Sequence, residues 1–96
     1  MSEDRIEALK KEIAELFQSL KTERDELRVR IHLAQADAQD EWAKLEKSWG
    51  DFEEKAAVVT EVAADASKEV GTAARLLGDE LKKGYGRVRD AIASQS

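Results

Sequence analysis

Apolar residues recur at helical spacing almost from end to end of the chain. Ile6, Leu9, Ile13, Leu16, Leu20 and Leu27 take the a and d positions of successive heptads, and Phe17 widens the stripe. Side chains three and four residues apart share one face of a helix, so this run predicts an amphipathic helix with a coiled-coil seam. Glu23 takes the d position between Leu20 and Leu27. A carboxylate there is either a solvated layer or a register-setting polar layer opposite Arg24 or Arg30 of a partner helix. Beyond Leu27 the stripe continues as Ile31, Gln35, Ala38 and Trp42. The extra four-residue step reads as a stutter that locally unwinds a left-handed supercoil.

The largest side chains come next. Trp42, Leu45, Trp49 and Phe52 are spaced by three, four and three, again one helical stripe. From Ala56 onward the apolar positions are Val59, Ala63, Ala66, Val70, Ala73, Leu77, Leu81, Tyr85, Val88 and Ile92. Phe52, Ala63, Ala74 and Tyr85 are eleven apart, as are Val59, Val70, Leu81 and Ile92. An eleven-residue period gives a face that runs nearly straight along a helix. One domain is expected, with a heptad segment over residues 1–49 and an eleven-residue-period segment over 50–96.

A single helix of this length would be about 144 Å long, so at least one reversal or hinge is expected between residues 50 and 80. Three places invite it. Gly50-Asp51 could end one helix and, with Glu54, cap another, but the stripe passes Trp49, Phe52 and Ala56 without a change of phase, which favours a continuous helix there. Val58-Val59-Thr60 is β-branched and of lower helix propensity. Gly71, Gly78, Gly84 and Gly86 interrupt the last segment, and Gly84-Tyr85-Gly86 is the weakest helix former in the chain. The expected fold class is all-α: long amphipathic helices, as a coiled coil or helical hairpin, self-associating.

Composition supports this. There is no proline, and 39% of the residues are charged. Only Phe17, Trp42, Trp49, Phe52 and Tyr85 are aromatic, so burial is expected from a hairpin or from further copies of the chain. Five acids precede a base by four residues: Glu7–Lys11, Glu26–Arg30, Asp40–Lys44, Asp51–Lys55 and Asp79–Lys83. Each such pair supports an exposed helix by about 0.2–0.5 kcal/mol. No cysteine is present, which excludes disulfides and thiolate metal sites. The longest strongly apolar run is Ala56–Val59, against the roughly 20 residues that span a bilayer. The acidic start, Met1-Ser-Glu-Asp-Arg-Ile6, does not read as a secretory signal, so the cytoplasm is the expected location.

Charge is distributed unevenly. Residues 1–36 carry eight acids and seven bases, residues 37–80 twelve and five, and residues 81–96 one and four. The acidic middle argues against nucleic acid as a partner. The basic tail suits the last turns of a helix, where cations oppose the macrodipole.

Candidate chemistry is sparse. His32 is the only histidine, and Val29 stands where a di-iron helix would need glutamate, so a surface or seam-flanking role is expected. Asp37, Asp40 and Glu41 share a helical face, with Glu53 and Glu54 further on, and read as solvated charge without a loop to enclose a cation. No catalytic, cofactor-binding or metal-ligating set is expected, and no cofactor. Trp42, Trp49 and Phe52 are either core or the anchors of a contact site.

Glu23-Arg-Asp-Glu-Leu-Arg-Val-Arg-Ile-His-Leu-Ala34, Ala36-Asp-Ala38, Glu41-Trp42, Leu45-Glu46, Trp49, Leu77-Gly-Asp-Glu-Leu-Lys-Lys-Gly-Tyr85 and Arg87-Val88 resemble small uncharacterised bacterial coiled-coil proteins over residues 23–92. The resemblance implies a bacterial cytoplasmic helical protein and carries no catalytic residues. A looser likeness, to apolipoprotein-like and stress-associated amphipathic helices, rests on the eleven-residue repeat, with alanine where a lipid-binding face would hold larger residues.

The function expected is therefore that of a non-enzymatic structural or interaction protein. It would associate with itself or with another helical protein through a seam of Ile6, Leu9, Ile13, Leu16, Leu20, Leu27, Ile31, Trp42, Leu45, Trp49 and Phe52. The alternative is a peripheral lipid-surface or stress-protective helical protein acting through residues 56–92.

Overall fold

The computed structural model describes residues 2–61 and 64–94, with side chains from Glu7 to Glu61 and from Glu69 to Ser94. Three long helices account for nearly all of it: α1 (Ser2–Arg30), α2 (Ala36–Glu61) and α3 (Ala64–Ser94). No strand occurs among the described residues, so the all-α class is confirmed. Helices of 29, 26 and 31 residues are about 39–47 Å long, which matches a molecule of 51 × 17 × 16 Å. They lie side by side as a three-helix bundle. Phe17 meets Trp49 and Phe52, and Arg24 meets Glu46, so α1 and α2 are antiparallel. Arg87 reaches Glu41, and Gly84 abuts Leu45, so α2 and α3 are antiparallel too. Leu9 lies against Gly71 and Leu16 against Gly78, so α1 and α3 run parallel.

The first reversal corrects the expectation of a stutter. Instead of a continuing helix, Ile31–Leu33 form a tight 3-10 turn, Ala34 is extended at φ −83°, ψ 158°, and α2 starts at Ala36. No residue in the described chain has positive φ, so the turn needs neither glycine nor proline. It is held by the Ala34 amide donating to the Ile31 carbonyl at 3.0 Å. The Gln39 side-chain amide donates to the Ala34 carbonyl, also at 3.0 Å. Ala34 and Ala38 are buried at the turn and anchor it to the bundle. The phase slip was real, but it marks the corner between two helices.

The second reversal falls inside the expected window, and its place sorts the three candidates. Helix α2 passes through Gly50 unbroken, as the continuous stripe suggests. It ends at Glu61, directly after Val58-Val59-Thr60, where the Thr60 hydroxyl donates back to the Ala56 and Ala57 carbonyls. Residues 62 and 63 lie outside the described residues. Helix α3 then runs through all four remaining glycines.

Those glycines serve packing. Gly71, Gly78 and Gly84 are buried on the face of α3 turned to its neighbours. A Cβ at Gly71 would stand 2.5 Å from Leu9 Cδ2, and one at Gly78 2.5 Å from Leu16 Cδ2. Leucines seven apart on α1 thus fit glycines seven apart on α3, which lets two parallel helices approach closely. One α3 position later in that series, Tyr85 replaces glycine, and on α1 the leucine gives way to Glu23.

Candidate functional site

The proposed seam residues are mostly inside one chain. Ile13, Leu20, Leu27, Leu45, Trp49 and Phe52 belong to a core completed by Ala56, Val59, Ala74, Leu81, Tyr85 and Val88. Leu9, Leu16, Ile31 and Trp42 are half-buried against that core. The side chain of Ile6 lies outside the described residues, as do those of Ala63 and Ala66. The seam therefore closes helix on helix within the chain. The face over residues 56–92 is likewise turned inward at Val59, Leu81, Tyr85 and Val88, so lipid contact through it would require the bundle to open.

The aromatic stretch is the thick middle of this core. Phe17 stacks on Trp49 at 5.3 Å and on Phe52 at 6.1 Å between ring centroids, and Trp49 tilts against Phe52 at 5.7 Å. These three rings join α1 to α2. Trp42 meets Tyr85 at 5.8 Å and joins α2 to α3. Ring contacts of this kind add about 0.5–1.5 kcal/mol each beyond the burial of their area.

A polar layer sits beside the rings. Arg24 donates through Nε and Nη2 to the two carboxylate oxygens of Glu46, both at 2.8 Å, a bidentate pair between α1 and α2. Its guanidinium also lies 5.3 Å from the Trp49 ring centroid, within cation–π range. The hydrogen bond to Glu46 raises the Arg24 pKa above its ordinary value, against the opposing effect of partial burial. Glu23, the carboxylate in the seam, pairs with Arg89 of α3. Of the two readings of Glu23, a solvated layer or a polar layer opposite Arg24 or Arg30 of a partner helix, the structure shows an interhelical polar layer, but with Arg89 of the same chain as its partner. Arg75–Glu12 and Arg87–Glu41 make further interhelical bridges. None of the five acid–base pairs at i, i+4 forms an ion pair among the described residues, whose only pair within one helix is Arg24–Asp25.

Tyr85 is the one buried side chain whose polar atom has no hydrogen-bond partner among the described residues. Its ring is fully buried. Burial pushes the phenol well above its ordinary pKa, and the nearby Glu46 carboxylate adds to the shift while Arg24 opposes it. Arg24–Glu46 did not stand out in the sequence, and the buried glycines stood out only as candidate helix breaks, not as packing sites. The alternation of glycine with leucine spacing could have suggested the latter.

The residues considered for chemistry stay apart. His32 is exposed in the 3-10 turn. Asp37, Asp40, Glu53 and Glu54 are exposed, while Glu41 accepts from Arg87 at 2.8 and 2.6 Å. No group of three or more metal-ligating side chains occurs among the described residues. No described helix is long and apolar enough to cross a membrane.

An apolar groove lies open on the surface. Between α1 and α2, beside the aromatic stack, a groove of about 230 Å³ is lined by Ala14, Phe17, Ala56 and Ala57 together with Gln18, Glu53 and Thr60. Apart from Phe17 its apolar lining is alanine, too short to fill the space between α1 and α2. Val29, Leu33 and Leu76 are exposed apolar side chains elsewhere. Scattered exposure of that kind is normal. Comparison with known proteins gives no match to a family model, a curated protein or a solved structure.

Proposed function

We propose that this chain is a non-enzymatic interaction protein, a three-helix bundle that offers its α1/α2 face to a helix of a protein partner. The observation that carries the reading is the groove of Ala14, Phe17, Ala56 and Ala57. An amphipathic helix laid there would complete a fourth position around the aromatic stack and remove the exposed part of Phe17 from water. The polar residues that line it would form the hydrogen-bonding rim that such contacts carry. The rest of the bundle serves as a rigid support, since its seam is occupied by its own helices.

A benzophenone-bearing amino acid placed at Ala57 tests this in cells that express the protein. Light should produce covalent protein adducts at that position and not when the probe replaces Asp79, which is exposed on α3. Absence of any adduct at Ala57, or equal adducts at both positions, would defeat the reading.

A further inference from the structure

The corner between α1 and α2 lacks the residues that usually end one helix and start another. It reads Arg30-Ile-His-Leu-Ala-Gln-Ala36, with no glycine or proline to stop α1 and no Ser, Thr, Asn or Asp to cap α2. Arginine, leucine, glutamine and alanine are instead among the strongest helix formers. The backbone is close to helical as well. Arg30 lies in the right-handed helical region, and the φ of Ala34, −83°, is within the helical range, while its ψ of 158° is not. Two hydrogen bonds hold the bend, from the Ala34 amide to the Ile31 carbonyl and from the Gln39 side chain to the Ala34 carbonyl, both at 3.0 Å.

The buried faces of α1 and α2 also agree in phase across this corner. On one straight helix, at about 100° per residue, the buried apolar residues from Ile13 to Val59 fall within about 80° of arc, with Leu27, Ala34, Ala38 and Leu45 in line through the corner. A corner sets no such requirement, because each helix can turn to the core independently. A single helix does set it.

We infer that this corner is a hinge, through which the chain exchanges α1 with a second copy of itself. With Ala34 turned to a helical ψ, α1 and α2 join as one helix over residues 2–61, about 90 Å long. The α1 of each copy then takes the place of α1 in the other. The helix directions permit this. Since α1 is antiparallel to α2 and parallel to α3, two straightened chains related by a two-fold axis across the hinge lie antiparallel and rebuild both bundles end to end. Phe17 on Trp49, Arg24 on Glu46 and Leu9 on Gly71 all re-form, now between copies. The occupant is therefore fixed by contacts already present: the surface that α1 uncovers on leaving is complementary to α1. Straightening gives up the two bonds of the bend and supplies helical partners to the last carbonyls of α1 and the first amides of α2.

Association entropy opposes the exchange, because a short corner holds α1 at an effective concentration in the mM range. The monomer is the form at low concentration, and exchange competes at about 1 mM. Each rebuilt bundle still presents the α1/α2 groove, so the inference goes beyond the interaction reading above and does not rest on it.

The full chain, warmed to its melting midpoint at about 1 mM and cooled, is read by light scattering after size exclusion. A dimer of twice 10.7 kDa should appear beside the monomer. The chain has no cysteine, so Glu15→Cys with Glu54→Cys places two spin labels at exposed positions of α1 and α2. With unlabelled chain in excess, their distance should rise from the width of a bundle 17 × 16 Å in section to about 60 Å in the dimer. Ala36→Pro suits the first turn of α2 but breaks a helix running through it, so that variant should fold and stay monomeric. Gln39→Ala removes the side-chain bond to Ala34 and should raise the dimer fraction. A chain that stays monomeric throughout overturns the inference. So does a dimer whose within-chain distance remains that of the bundle, one that folded Ala36→Pro forms equally, or one whose fraction Gln39→Ala leaves unmoved. If Ala36→Pro does not fold, the within-chain distance and the response to Gln39→Ala decide.

Discussion

Two glycines separated by a single residue on α3 should respond in opposite senses to one substitution. Gly86 has nothing within 4 Å of a would-be Cβ. Alanine there relieves the helix of a poor former and should stabilise the protein by up to about 1 kcal/mol. Gly84 offers the same gain in propensity but faces Leu45 of α2. Its would-be Cβ overlaps Leu45 Cδ2 and stands 3.1 Å from Cδ1 and 3.2 Å from Cγ. Both methyls and the branching carbon are thus in the way, so a turn of the isopropyl group alone does not clear the space. Leu45 is 7% exposed and packed in the core, so α2 and α3 must move apart. Overpacking of this kind costs about 1–3 kcal/mol, which offsets the gain in propensity and leaves Gly84→Ala about 0–2 kcal/mol less stable than the parent. The two variants should then differ by about 1–3 kcal/mol. For a domain of this size each kcal/mol moves Tm by about 4–8 °C, readable by thermal melts of helical circular dichroism. Leu45→Ala should cost less in the Gly84→Ala background than alone, because the new methyl fills part of the space released. Equal stabilisation by Gly84→Ala and Gly86→Ala would refute the close approach of α2 and α3 and, with it, the reading of the buried glycines as packing sites.

Two further predictions concern the polar layer. Tyr85→Phe removes a buried hydroxyl that has no partner among the described residues, so at neutral pH it should leave stability unchanged or raise it by about 1 kcal/mol in urea titrations. A loss of 1 kcal/mol or more would mean that the hydroxyl is satisfied. The same side chain sets an alkaline limit: its folded pKa lies above the ordinary 10.0, so above that pH the unfolded chain releases a proton that the folded chain keeps. Stability should fall with rising pH there by at most about 1.4 kcal/mol per unit from this group, and Tyr85→Phe should remove that part of the slope. Glu46→Ala leaves the partly buried Arg24 guanidinium without its bidentate acceptor and should cost about 1.5–3 kcal/mol in the same titrations. A cost under 0.5 kcal/mol, the range of an ordinary exposed pair, would show that the bridge does not hold α1 to α2.

The interior of each helix was legible along the chain because helical periodicity is a local property. Ile13, Leu20, Leu27, Leu45, Trp49 and Phe52 declare an inward face through spacing alone, and all six are buried. Gly50 could be passed over for the same reason, since the stripe keeps phase on both sides of it. The first corner was not legible as a corner. It contains no glycine, proline or positive φ, and its only trace is a slipped phase that a bent helix, a supercoil change or a turn would all produce. Nor was the groove legible: Phe17 was visible as a widening of the stripe, but Ala14 and Ala57 become a floor only when α1 and α2 stand side by side.

The sequence by itself determined three things: that the chain is helical, which face of each helix is apolar, and that the widest side chains cluster at the middle. What covers those faces was decided by tertiary structure. An apolar stripe gains the same free energy per unit area whether it meets another helix of its own chain or one from a second chain. The two outcomes differ in entropy and in shape: a short turn joins neighbours at little cost in loop closure, whereas association must overcome lost translational freedom. The leucine-to-glycine fit of α1 on α3 and the Arg24–Glu46 and Glu23–Arg89 pairs favour the first outcome. Each joins residues at least 22 positions apart, a relation that no local pattern expresses.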